Sequence, residues 1–329
     1  MKPYLKIALS LLILVFLGFF VRATDWQGVL RSVQQVGFNF IFLLFVTFVS
    51  AWLSVMAWRY CLPKEAGYIS AWKFFWIRQI GENIAILNPA SVVGGEAMKI
   101  YMLGNLGIDK RLALHSILLS RALTILSQLL MLLIAGICFL AITSDHYSWP
   151  GYHWLWILLL PAALIQIIVF SRNKAFKGKV HSVLQRLGLL NKYLEIRNYV
   201  GELWHELRTF YKENRRSMLL SFVASCLHWI VGSLEFYFIL LYLGVKTSIA
   251  KALLVDMGVI VFKTAGAFIP GQIGVEEYGN KVMLAIIGIA GNTIWITASI
   301  LRRARQLFWM ALSLIVYIIF FRKTQPDPA

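Results

Sequence analysis

Two short stretches of an otherwise apolar chain place carboxylates and guanidinium groups where solvation is scarce. Val93-Gly94-Gly95-Glu96 and Ile273-Gly274-Val275-Glu276 share a β-branched residue, a glycine, one free position and a glutamate, each shortly after a proline, Pro89 or Pro270. Gly271 follows the second proline directly, and Glu277 follows the second glutamate. Farther on, Arg121 and Arg302 each stand in an apolar run. A proline suits the first turn of a helix, and glycines let a ligand or a second backbone come close. The helix end so built presents unpaired N–H groups and a partial positive charge, which suit phosphate or carboxylate. Ionised side chains at membrane depth face a protein interior or an aqueous path and pair with one another. Glu96 is therefore expected to pair with Arg121, and Glu276 with Arg302. Each arginine would lie about 16 Å along its helix if that helix starts near Lys110 or Gly291. Such a pair either fixes packing or handles a charged ligand.

The two stretches belong to a longer correspondence. Gly107-Ile108 matches Gly288-Ile289, and Arg121 matches Arg302, at the same offset of 180 to 181 residues as the tetrapeptides. Three landmarks in one order at nearly constant spacing mark an internal duplication.

The elements that must position these residues follow from composition. Of 329 residues, 59% are hydrophobic and only 14% charged, which excludes an ordinary soluble domain. Uncharged runs long enough to span a bilayer, or nearly so, are Ile7–Val21, Phe38–Trp58, Ala122–Ser144, Tyr147–Ser171, Ser217–Leu234 and Gln306–Phe321, the last lengthened backwards past Arg302, Arg303 and Arg305. The first lacks a small-x-small cleavage site and is expected to be retained. With the N-terminus cytoplasmic, inside segments carry eighteen Lys and Arg against four outside, so both termini are expected in the cytoplasm. The segments 74–111 and 252–291 are broken by Gly, Pro, Asn and charges, and a single crossing by either would invert the charge bias downstream. Each is expected to enter and return on one side, where protein or a polar cavity covers the broken backbone. The fold class is thus all-α integral membrane, with six transmembrane helices plus two re-entrant hairpins. The first repeat is 1–144 and the second, of inverted topology, is 145–329. Secondary transporters commonly use such inverted, interrupted repeats around a midplane site.

Other groups are less specific. Glu235, Asp256 and Lys263 are expected to pair within the core, with proton or headgroup handling the alternative, while Arg78, Glu82 and Asn83 line the first hairpin's path or cap its ends. The loop Arg172–Arg216 holds eleven Lys and Arg, and its stripe Val200, Leu203, Trp204, Leu207, Phe210, Tyr211 suits a helix lying on anionic lipid headgroups. No nucleic-acid module accompanies this charge. Three separated cysteines, Cys61, Cys138 and Cys226, suggest neither disulfides nor zinc. No catalytic constellation, ATP-binding loop or cofactor motif is visible, so neither an enzyme nor a cofactor is expected.

The pattern from Asn83 through Leu103, Asn-x(5)-Pro-x(4)-Gly-Gly-Glu-Ala-x-Lys-x-Tyr-x-Leu, resembles the first signature of the membrane region of lysylphosphatidylglycerol synthases and their stand-alone flippase-like relatives. Ile269 to Tyr278, followed by Leu301-Arg-Arg-Ala-Arg305, resembles the second, and is especially similar to the subgroup associated with hopanoid biosynthesis. The resemblance implies a multi-pass protein of the bacterial inner membrane that moves a phospholipid, hopanoid or other envelope lipid between leaflets. It implies substrate-binding elements at Pro89, Gly94, Gly95, Glu96 and Lys99, then Pro270, Gly271, Gly274, Glu276 and Glu277, with Arg121 and Arg302 behind them; Asn83 opens the first motif. Ala90-Ser91 stands where the family pattern often has a basic residue. The synthases append a soluble aminoacyltransferase domain, whereas this chain ends nine residues after Phe320, so lipid aminoacylation is not expected of it. The competing class is a non-transporting scaffold that docks an envelope-biosynthesis enzyme through the basic loop.

Overall fold

The computed structural model describes residues 36–62, 68–87, 91–143, 212–266, 274–289 and 292–321, with a few isolated positions besides. The runs at 7–21 and 147–171, most of the basic loop with its stripe, and Pro89, Pro270 and Gly271 lie outside the described residues.

Among the described residues every regular element is helical. The order is α1 (Asn39–Arg59), α2 (Ala71–Leu87), α3 (Ser91–Gly104) and α4 (Lys110–Thr143), then α5 (Arg215–Tyr242), α6 (Ile249–Ala265), α7 (Val275–Ile286) and α8 (Asn292–Val316), which continues as a π-helical turn, Tyr317–Phe321. A long, a medium, a short and a long helix thus occur twice. Four of the helices, α1, α4, α5 and α8 with its π-turn, are long and apolar enough to cross a membrane. The 14 residues of α3 and 12 of α7 rise only about 21 and 18 Å, short of the ~30 Å hydrocarbon core.

Contacts fix how the long helices run. Ser50 Oγ donates to the His228 carbonyl, and Ser221 Oγ to the Ala57 carbonyl, so α1 and α5 are antiparallel. Trp229 Nε1 donates to Thr124 O and Ser127 Oγ, while Met218 and Phe222, earlier on α5, pack with Leu119 and Leu123, earlier on α4. These two helices are parallel. Arg302 and Arg305 on α8 reach back to Glu235 on α5, while Ala298 and Leu301 join Ile239 in one cluster, so that pair is antiparallel. Consequently α1 and α8 point one way, and α4 and α5 the other. The α2–α3 pair begins and ends at one end of the bundle, and α6–α7 at the opposite end.

Each medium–short pair is closed by glycine. A Cβ on Gly95 would stand 2.4 Å from the Gly81 carbonyl oxygen, and one on Gly258 2.3 Å from the Met283 methyl, so the two helices of each pair approach at contacts that a larger side chain would disturb. The repeated Gly-Ile dipeptides end the short helices. Gly107 and Gly288 adopt φ of +85° and +88°, and the amides of Ile108 and Ile289 turn back to the carbonyls of Leu103 and Leu284. Those bonds are the six-to-one closure of a helix by a left-handed glycine.

The halves interlock reciprocally: α2 packs on α8, and α6 on α4. Residues Ala252–Val259 of α6 are buried on all sides, which explains their near-continuous hydrophobicity. Outside, Phe38, Ile41, Phe45, Ile125, Ile137, Leu219, Leu314 and Phe320 are exposed. An apolar belt on that scale suits lipid as the surrounding solvent.

Candidate functional site

Two clusters of charge lie inside the helical bundle. In the first, α3 carries Glu96 and Lys99, α2 carries Arg78 and Glu82, and α4 brings Arg121. Arg121 donates to Glu96 Oε1 through Nε at 2.7 Å and also through Nη2, which lies 3.5 Å from Glu82 Oε1. Lys99 Nζ lies 2.8 Å from Glu82 Oε1 and 3.4 Å from Glu96 Oε1. Glu82 and Arg78 share one face of α2 through their i, i+4 spacing. Arg78 donates to Ser54 Oγ at 3.0 Å and to Gln79 Oε1 at 3.1 Å. Glu96 Oε2 is buried without a hydrogen-bond partner.

In the second cluster Arg302 on α8 is the hub. Its Nε donates to Glu276 Oε1 at 3.0 Å and its Nη1 to Asp256 Oδ1 at 2.9 Å, with Glu235 Oε2 at 3.9 Å. Its guanidinium carbon lies 4.2 Å from the centre of the Phe236 ring. Lys263 reaches the other oxygen of Glu276 at 3.3 Å, and Arg305 Nε lies 2.5 Å from Glu235 Oε1. Glu277 pairs with Arg303 and also accepts the Gly274 amide at 2.8 Å, so this carboxylate caps the start of α7.

The structure therefore brings Glu96 to Arg121 and Glu276 to Arg302, as their spacing suggests. Lys99 joins the first pair directly. Asn83 instead ties the halves together, its amide donating to the Trp309 carbonyl on α8 at 3.4 Å. Gly95 packs against Gly81 and Ala85, so its close approach is to a neighbouring helix. Gly94 lies in α3 one residue before it, and Gly274, with φ of +83°, forms the turn into α7. Glu276 and Glu277 do not converge: they serve different arginines.

Sequence reasoning left Glu82, Asp256 and Glu235 outside the site, although each touches one of its arginines. Their signal was a carboxylate in an apolar helix. Asp256 and Lys263 stand seven residues apart on one face of α6, about 10 Å along its axis. Each accordingly reaches a different partner.

His228 on α5 joins α1: its Nδ1 lies 2.8 Å from Ser50 Oγ and 2.9 Å from the Ser50 carbonyl oxygen.

Comparison with known families adds one result: residues 4–315 match the lysylphosphatidylglycerol synthase TM region. The chain belongs to that family. Family membership, with the four apolar spans, identifies a multi-pass membrane protein involved in lipid handling. Comparisons with curated proteins and with solved structures gave no match.

Proposed function

We propose that this family member moves a lipid between leaflets of the bacterial inner membrane, and that it does so without catalysis. The observation that carries the reading is the paired ion cluster: Glu96–Arg121 and Glu276–Arg302 recur at matching places in two helix pairs that approach from opposite ends of the bundle. The repeats 1–144 and 145–329 are then inverted copies, each with a re-entrant hairpin, α2–α3 or α6–α7, and with three spans apiece once the runs at 7–21 and 147–171 are included. The antiparallel α1 and α5, the recurring helix order and the reciprocal packing support this arrangement.

In such a machine the headgroup enters between the hairpins and meets charged side chains there, while the acyl or polycyclic tail stays in the bilayer. Exchanging the conformations of the halves exchanges the open side. A phospholipid, a hopanoid or another envelope lipid would suit a pathway that holds only the headgroup. Both termini lie in the cytoplasm, and the basic loop rests on anionic headgroups of that leaflet. The driving force is an ion gradient, the lipid gradient or a partner.

Purified protein in liposomes tests the proposal. Accelerated exchange of a labelled lipid, lost in Arg121→Gln, is the expected outcome. No acceleration with phospholipid, aminoacylated phospholipid or hopanoid would leave the scaffold for envelope enzymes as the better reading.

A further inference from the structure

The two clusters repeat in position but not in chemistry. In the second, four cations (Lys263, Arg302, Arg303, Arg305) face four carboxylates (Glu235, Asp256, Glu276, Glu277), and both oxygens of Glu276 are engaged. Its hub is sealed: the side chains of Arg302, Asp256, Glu276 and Glu235 are all less than a tenth exposed. The anion site that a helix start would offer at α7 is already filled by the carboxylate of Glu277.

The first cluster is open and unbalanced. Among the described residues three cations (Arg78, Lys99, Arg121) face two carboxylates (Glu82, Glu96). Among the described residues the surplus cation, Arg78, bonds only to neutral oxygens, and two bonds leave most of the five guanidinium N–H donors unused. Arg121 is 42% exposed and Glu82 32%, against 6% for Arg302.

We infer that the first cluster alone receives the headgroup, that the group received is an anionic lipid phosphate held by Arg78 and Arg121, and that the second cluster is a closed ionic lock. Guanidinium groups suit this role because their fork of donors matches phosphate oxygens. A monoanionic phosphate also cancels the single surplus charge. Assigning the phosphate to a lipid rests on the transport reading; the site itself does not.

Thermal unfolding of the purified full-length chain in detergent tests the inference, with dioctanoyl phosphatidylglycerol, dioctanoylglycerol and inorganic phosphate as probes. The phosphatidylglycerol should raise the midpoint saturably and the phosphate-free lipid should not. Arg78→Gln leaves every ion pair of the cluster in place, and should weaken the response roughly tenfold, the scale of a lost hydrogen bond to a charged group. Glu96→Gln removes a competing negative charge and should tighten it, a change opposite in sign to that of a purely structural lesion. Lys263→Gln, in the lock, should leave the half-saturating concentration where it is. If R78Q does not fold, Arg78→Lys takes its place, with a smaller weakening expected.

Absence of a wild-type response, an equal response to dioctanoylglycerol, wild-type binding by the Arg78 variant, weaker binding by E96Q, or an equal loss in K263Q would each overturn the inference. An equal response to inorganic phosphate would overturn its lipid part. Because binding is read without a bilayer, binding without leaflet exchange would contradict transport alone, and exchange without Arg78-dependent binding would contradict this inference alone.

Discussion

At the level of single residues, the cost of losing an arginine depends on what it leaves behind. Arg302 separates three buried carboxylates, those of Glu235, Asp256 and Glu276. Removing its charge leaves Asp256 without its ion-pair partner and leaves Glu276 to Lys263 and Glu235 to Arg305, and breaking a buried pair in this way costs about 3–5 kcal/mol. Arg121 is more exposed and shares its carboxylates with Lys99, so its loss should cost far less, nearer the ~1 kcal/mol of a partly solvated pair. Unfolding midpoints in detergent check this: Arg302→Gln should fall well below Arg121→Gln, and equal midpoints would show that the two clusters are alike. Which charges would meet was only partly legible in the sequence. Glu96 with Arg121 and Glu276 with Arg302 followed from a repeated spacing across helix starts. Glu82 and Asp256 did not, because only the packed structure decides which face of a medium helix turns toward the long one.

Among the helices, the medium–short pairs depend on backbone proximity. Gly95 faces a carbonyl oxygen of α2, which cannot swing aside, whereas Gly258 faces the flexible end of Met283. Gly95→Ala should therefore destabilise the protein by about 1–3 kcal/mol through overpacking. Gly258→Ala should cost less than Gly95→Ala, because the Met283 side chain it meets can shift further than a backbone carbonyl and alanine gains up to about 1 kcal/mol of helix propensity. Denaturation of the two variants side by side checks the order, and a larger loss at Gly258 would mean that the helix pair yields where the contacts say it should not. The sequence reads the glycines near Pro89 and Pro270 as openings for a ligand or a second backbone, and at Gly95 it is the neighbouring helix that takes the space. The Gly-Ile landmarks were legible as a repeat but not as helix ends, because the left-handed turn at Gly107 and Gly288 shows only in backbone geometry.

For the molecule as a whole, charge bias and uncharged runs were enough to anticipate α1, α4, α5 and α8, because a membrane span must be long and apolar whatever packs against it. The reciprocal seating of α2 on α8 and α6 on α4 was beyond the sequence, since interfaces between helices in lipid are made of residues no more apolar than those facing the tails. These contacts join the two halves, as the proposed alternating access requires. The central claim is that the two hairpins enter from opposite membrane faces. Its most direct test is single-cysteine labelling in a cysteine-free background, with Asn105→Cys beside the end of α3 and Ala285→Cys at the end of α7, both at exposed positions. In oriented vesicles treated with a membrane-impermeant maleimide, residue 105 is expected to react from one face only and residue 285 from the other. Reaction of both from the same face would contradict the inverted arrangement and the transport mechanism built on it.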